Sequence, residues 1–597
     1  MKKLAAFALF LFLTTGLALA DTPKEADAKA AKTAEPAKPK AAKETVKSDS
    51  RLAAEIEELR QAIQSQQEQL ELLKGELAKR DRQIDEAREA AAAANARAAE
   101  ANTKAAEAAN SSAEVKTAAV TLPTPVSDLK ASNEGLKTAV SAESAQTRGA
   151  GAETSPLQLH IGDASITPIG FADFTGVWRS RDGGSGIGTN FAGIPYGGSN
   201  VFQTNLNEFR FSMQNSRIGF RVDADVKGSH VLGYMEADFL GNNPGNVAVS
   251  SNSNTLRSRL YWVDLRKGAW EVLGGQTWTL ATPNRSGVSP LPGDIFFSNN
   301  MDVNYQLGMV WGRIPEFRLA YHFPEDKAAF AVALDSPDQY MGGTNGSAAI
   351  TLPACCANYA GGQLDNGTTT LNPPNIAPDV IAKFVVDPSK RLHGEIGGIV
   401  RFFQVYNQTT ATHFSSTGGG GFVNLDVGVA GGLRLLTHNF WSDGGGRYIF
   451  GQAPDVIARA DGSLSPVHVG STVDGFEFTH RNTILSGYYG LVYIPRNVAI
   501  DANGTTHIGW GFSGSPSTPS ATSSGHNRSI QEGTFAFSQN FWKDPRYGGL
   551  TFIGQYSYLT RNPWSVATGQ PKNAHASMVW VDLRYTLPGS APTLGKP

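Results

Sequence analysis

Two periodicities of apolar residues divide this chain. In the N-terminal part, Ile56, Ile63, Leu70, Leu77 and Ile84 recur every seventh residue, and Leu59, Leu73 and Ala87 take the second core position of the same repeat. Gln66 and Arg80 interrupt the second series, and the phase then runs on through Ala91, Ala94, Ala98, Ala101, Ala105 and Ala108. One phase held over that length predicts an α-helical coiled coil over 50–122. A lone solvated helix is the alternative, because many later non-core positions are also Ala. At 1.5 Å rise per residue, 52–108 would form a rod roughly 85 Å long. Ile at one core position with Leu at the other leans towards two strands, and the polar interruptions leave the strand number open.

From residue 158 the period is two. Val380, Ala382, Phe384 and Val386 oppose Lys383, and Phe317, Leu319, Tyr321 and Phe323 oppose Glu316, Arg318 and His322. In Ser577–Tyr585 the odd positions form one row, while Asp582 and Arg584 lie on the other face. This pleat places apolar residues on one face and polar residues on the other. A soluble β-sandwich would alternate in the same way, so the connections carry more weight. Sixteen strands are predicted at 166–179, 206–226, 231–240, 255–266, 269–278, 305–323, 327–335, 378–387, 391–404, 421–436, 445–452, 471–479, 482–496, 528–542, 548–561 and 575–587. Long connections (180–205, 241–254, 279–304, 336–377, 405–420, 453–470, 497–527, 562–574) alternate with short turns such as 227–230, 267–268, 324–326 and 388–390. Long loops on one rim and short turns on the other predict an all-β transmembrane barrel preceded by the coiled coil. Turns are hard to place in 437–482, which leaves fourteen or eighteen strands open. In the second strand Phe209, Phe211 and Met213 are odd but Ile218, Phe220 and Val222 are even. The sixteen-strand reading takes this flip near Gln214-Asn215 as a β-bulge and not as a turn.

Composition sharpens the division. Asp21–Leu159 holds no Phe, Tyr, Trp or His, whereas all ten Trp lie beyond it. Lipid-facing barrels use aromatic girdles, and a water-facing rod needs none. Residues 1–20 read as a signal peptide: Met1-Lys2-Lys3, an apolar run, then Ala18-Leu19-Ala20 before Asp21. Residues 21–48, of Ala, Lys, Pro and Glu, are expected to be disordered. Residues 123–157 read as a linker, and 158–597 as the barrel domain. The formal net charge of −2 argues against a nucleic-acid partner. Two Cys rule out a disulfide scaffold and argue against a multi-Cys metal site; Cys355 and Cys356 are adjacent in the loop 336–377 and either form a vicinal disulfide that stiffens it or remain thiols.

Signal peptide, coiled coil and sixteen-stranded barrel together resemble the DcaP-like trimeric outer-membrane porins of Gram-negative bacteria. The resemblance is carried by Asn215–Phe220, Tyr234–Phe239, Tyr261–Arg266 and Trp270–Trp278. It covers the chain after the signal peptide in architecture and mainly 206–280 in motif. It implies a homotrimer in the outer membrane, a periplasmic N-terminal region, and passive diffusion of small hydrophilic, often anionic solutes. It also implies that the third long loop, 279–304, folds inward and narrows the pore. One departure stands out. Porin chains usually end on an aromatic residue, whereas ten residues follow Leu587 here. An internal assembly signal, or a different terminal one, is then required.

Pore selectivity comes from charged side chains around a constriction. The inward loop offers Arg285, Asp294 and Asp302, and the polar strand faces offer Arg210, Arg217, Arg221, Arg318, Lys383, Arg401 and Arg584. Residues 160–597 contain 22 Arg and 8 Lys against 31 Asp and Glu, so selectivity must come from placement, not bulk charge. One expectation is an Arg-lined constriction favouring carboxylate-type anions, since the guanidinium fork fits a carboxylate. The other is a structural network in which these Arg pair with Glu208, Asp223, Asp225, Glu236 and Asp582. No nucleophile–base, zinc-hydrolase or phosphate-loop motif is present, so no enzyme activity and no cofactor or metal is expected. Gly418–Gly421 reads as a flexible turn. The competing function is an envelope tether, with the coiled coil linking the outer membrane to peptidoglycan or a periplasmic protein.

Overall fold

In the computed structural model the chain divides into two units, Met1–Arg148 and Gly149–Pro597. The structure describes Lys74 and residues 155–589, apart from 198–200, 243–252, 297–298, 344–345, 368–372, 512–525 and 567–570. The expected signal peptide, disordered segment and coiled coil, and most of the expected linker, lie outside the described residues.

The second unit is a closed barrel of sixteen antiparallel strands. They are β1 Ala164–Arg179, β2 Glu208–Ser212 with Arg217–Val226, β3 Ser229–Asp238, β4 Arg257–Lys267, β5 Trp270–Trp278, β6 Arg313–His322, β7 Ala328–Asp335 and β8 Asp379–Ser389. The barrel continues with β9 Leu392–Asn407, β10 Thr412–Gly428, β11 Leu433–Asp443, β12 His468–His480, β13 Thr483–Tyr493, β14 Asn527–Asp544, β15 Gly548–Pro563 and β16 Ala574–Thr586. β16 closes on β1 with Asp173 opposite Arg584. Both segments of β2 pair with β1: Ser212 faces Thr175 and Arg217 faces Phe171. Five steps along β2 therefore match four along β1. That one extra residue is the bulge expected from the flip of the apolar row, and it keeps Phe211 and Ile218 on the same outer face.

Alternation sorts the side chains. Phe174, Phe211, Phe220, Met235, Val263, Phe317 and Phe384 are exposed on the outside. Asp173, Glu236, Glu316, Lys383, Arg401 and Arg584 are buried inside. An apolar exterior around a polar interior suits a lipid-facing barrel and would be untenable for a water-soluble one.

Strand heights differ around the barrel. β3–β7 have only 8–11 residues. β9, β10, β14 and β15 have 16–18. Two expectations are corrected here. The predicted loop 405–420 is strand, with only the tip 408–411 outside β9 and β10, and Gly418–Gly421 sits inside β10 opposite Arg401–Gly398. Those glycines read as a turn, but close approach is what requires two of them: a Cβ on Gly418 would collide with the Asp443 carbonyl, and one on Gly420 with the Trp441 carbonyl and the Ser442 side chain of β11. The predicted strand 445–452 is loop, containing a short 3-10 turn at Gly446–Tyr448, because the periodic run belongs to β11. The predicted strand 421–436 is in turn divided by the tight turn 429–432 between β10 and β11, so one strand is gained where one is lost, and the count of sixteen stands.

Above the long-loop rim, the described parts of 336–378, 444–467 and 494–526 build a cap. It includes the small hairpins Val456–Ala458 with Leu464–Pro466 and Asn497–Ile500 with His507–Trp510. Tyr359, Tyr448, Ile457 and Trp510 are fully buried within it. Cys355 and Cys356 form a disulfide in the 3-10 turn Ala354–Tyr359. Thr409 at the β9–β10 tip donates to the Cys355 carbonyl, and Tyr359 donates to the Gly462 carbonyl, so this turn joins three loops.

Candidate pore site

The described residues between Trp278 and Arg313 lie inside the barrel. A loop inside a polar lumen must satisfy its own backbone donors. Here inward side chains of the far wall do so: Asn284 N–H donates to Glu395 (2.8 Å), Asn299 N–H to Tyr488 (3.0 Å), Met301 N–H to Gln555 (2.6 Å) and Leu307 N–H to Glu532 (2.9 Å). Those acceptors stand on β9, β13, β15 and β14, so the loop is tied to strands across the barrel from its roots on β5 and β6. Tyr305 within it has φ +63°, a left-handed conformation that a bulky side chain adopts only under tertiary constraint.

The sequence-predicted pore residues all lie in this interior or at its rims, and each basic one has an acidic partner. Arg285 in the loop makes a two-pronged contact with Glu477 (2.7 and 2.9 Å) and lies over the Phe296 ring. Asp294 accepts from Ser286 (3.3 Å). Asp302 accepts from the N–H groups of Thr189 (3.2 Å) and Asn304 (2.9 Å), fixing the loop to the segment after β1. Lys383 is wholly buried and donates to Glu395, Asn284 and the Thr282 carbonyl, each within 2.9 Å. Arg318 pairs with Glu316 (2.5 Å) and donates to the Val288 and Trp278 carbonyls. Arg401 pairs with Asp379 (3.0 Å) and with Asp455 of the cap (2.8 Å). Arg584 pairs with Asp173 (2.8 Å) and lies over Phe171.

Three of the predicted basic residues are held at longer range or nearer to solvent. Arg217 sits 3.5 Å from both Glu236 and the Tyr305 hydroxyl. Arg210 pairs with Glu208 (3.0 Å) while its side chain stays 45% exposed, and Arg221 pairs with Asp223 (2.6 Å) at 38% exposure. Glu208, Asp223, Glu236 and Asp582, expected as wall partners, do engage Arg; Asp225 instead meets His230 (3.1 Å).

Sequence reasoning missed a cluster at the foot of the loop. Arg259 is buried and bridges Glu236 (2.7 Å) and Asp238 (2.8 Å), and Arg257 also binds Asp238 (2.8 Å). Arg313 lies among Arg257, Arg259, Tyr305 and Asp238, with Trp278 and Trp311 rings at 5.7 and 5.9 Å. Its guanidinium meets no acceptor among the described residues. With Arg217, four guanidinium groups face two carboxylates, an excess of two positive charges beside the inward loop. Simple alternation puts Arg257 and Arg259 in the outward row of Tyr261, Val263 and Leu265. A register shift opposite Glu236 and Ala237 turns Arg259 inward. Two arginines continuing an apolar row were the available signal.

A closed barrel, apolar outside and charged inside with one loop folded into it, defines a transmembrane β-barrel of the outer-membrane type. No protein-family model matches the chain, and no curated protein does. Among solved structures it is similar to the outer-membrane channel DcaP of Acinetobacter baumannii (TM-score 0.49, 15% identity, covering 72% of this chain and 98% of that one). It is also similar to an anion-selective porin from Comamonas acidovorans (TM-score 0.38, 12% identity, 71% and 99% covered) and to Salmonella typhi OmpF (TM-score 0.37, 8% identity, 72% and 100% covered).

Proposed function

We propose that the chain is an outer-membrane porin that passes small hydrophilic solutes by diffusion and favours carboxylate-type anions. The observation that carries the anion preference is the arginine excess around Arg313, which stands next to the loop that narrows the lumen. Fixed positive charge at a constriction lowers the barrier for anions and raises it for cations. In this reading the long-loop rim faces outward and the short-turn rim faces the periplasm. The short apolar strands β3–β7 offer the face on which a homotrimer would close. Purified protein in a planar bilayer under a KCl gradient tests both parts. A reversal potential of anion sign is expected; cation preference overturns the selectivity, and absence of ion-conducting steps overturns the channel.

The heptads support a second, compatible role, in which 50–122 crosses the periplasm to hold the outer membrane to peptidoglycan or a periplasmic protein. Deleting 21–150 separates the two. Conductance persists for a pore, while a blebbed outer membrane marks the loss of a tether.

A further inference from the structure

At the long-loop rim, three strand ends bring together side chains that the pore does not use. Tyr493 ends β13 on its outer face, Arg528 follows the first residue of β14, and Trp564 follows the end of β15. The Arg496 guanidinium lies 4.5 Å from the Trp564 ring centre and that of Arg528 5.8 Å from it. Both arginines are exposed, and neither has a carboxylate or other acceptor among the described residues. This sets them apart from the predicted pore arginines, every one of which is paired.

The Trp564 platform is held from three sides. Its indole N–H donates to the Ile494 carbonyl (2.9 Å) and its backbone N–H to the His526 carbonyl (2.9 Å). Tyr493 meets its ring edge-on at 6.5 Å. Gly511, at φ +83°, completes the cradle, since a Cβ there would stand 2.7 Å from the Trp564 ring and 3.0 Å from the Arg496 stem. Two cations are thus presented on a ring that cannot swing away.

Height on the barrel identifies what they face. Tyr489, Tyr493, Tyr556 and Tyr558 are exposed on the same outer wall. Such tyrosines mark the level where acyl chains give way to headgroups. We propose that Arg496 and Arg528 clamp a phosphate of a phosphorylated glycolipid in the outer leaflet, its sugar lying against Trp564. A phosphate takes charge-assisted bonds from two guanidinium forks. The proposal rests on the outer-membrane reading above.

The test uses the full chain, purified in detergent and stripped of lipid, with binding followed by native mass spectrometry. The probes are bisphosphorylated lipid A, the same glycolipid dephosphorylated, and inorganic phosphate. Bisphosphorylated lipid A is expected to bind and to lose about tenfold in affinity in the R496Q/R528Q double variant. R546Q, on the opposite rim, is expected to bind as the parent chain does. Equal binding by the double variant or by the dephosphorylated glycolipid overturns the proposal. Equal occupancy by inorganic phosphate overturns the lipid as its source. Failure of the outer-membrane reading shows separately, as a chain that stays soluble without detergent and lacks a heat-dependent gel shift.

Discussion

The low wall of β3–β7 and the tall hairpin of β9 and β10 are made by the same alternation and end differently. On the low wall the outer face stays apolar to the strand ends, through Met235, Val263, Leu265, Phe317, Leu319, Phe330 and Leu334. On the tall hairpin Ile396, Val400, Val423 and Leu425 give way to Gln404, Ser415, Thr417 and His413 as the strands rise. The tall hairpin outgrows the apolar band and carries the cap, while the low wall stops with the band. The interiors differ in parallel. On the tall side each inward cation is tied down, Lys383 by Glu395 and Arg401 by Asp379 and Asp455. On the low side the cations outnumber their carboxylates. One wall uses charge to hold the loop and the cap in place, and the other keeps charge in reserve.

Breaking the tall side should cost the most. Lys383→Met removes the buried cation that pairs with Glu395 and leaves the Asn284 side-chain carbonyl without that donor, an expected loss of about 3–5 kcal/mol, read as a lower unfolding midpoint in denaturant. Gly420→Val forces β10 away from β11 and is expected to cost about 1–3 kcal/mol by the same measurement. A midpoint unchanged in both variants would contradict the tight register described for β8–β11. On the low side, Arg313→Gln removes ring contacts worth about 0.5–1 kcal/mol, so the fold is expected to persist. The reversal potential should move towards the cation side, and an unmoved potential removes Arg313 from the constriction. The smallest effect belongs to the cap. Burial, together with the Asp338 carboxylate, raises Asp365 to about 6. A raised acid contributes stability at pH below its unfolded value near 4 and loses it as pH climbs through about 6. Amides around Met341 and Leu364 should therefore exchange faster at pH 7.5 than at pH 5, after correction for intrinsic rates, and Asp365→Asn should remove the difference.

The barrel was legible in the sequence because lipid on one side and a charged lumen on the other enforce alternation at almost every strand residue. The bulge in β2 could be read for the same reason: an apolar row that changes parity needs one extra residue. Gly418–Gly421 was misread because glycine that permits close strand packing and glycine that permits a turn look alike in one dimension. The inward direction of Arg318, Lys383, Arg401 and Arg584 followed from their neighbours. Their partners did not, since Asp455 reaches Arg401 from a cap loop and Glu395 reaches Lys383 through strand register. Arg257, Arg259 and Arg313 escaped because strand irregularity and the bend into the loop override alternation where the low wall ends.

The disulfide in the cap has a practical consequence. Cys355 and Cys356 are the only cysteines in the sequence, and each occupies the other. The native chain therefore offers no free thiol. A single cysteine placed on the inward loop, for example at Ser286, becomes the sole target for a maleimide. Blockade of the ionic current on its modification, from one side of a bilayer or the other, then reports directly which rim opens to which solution.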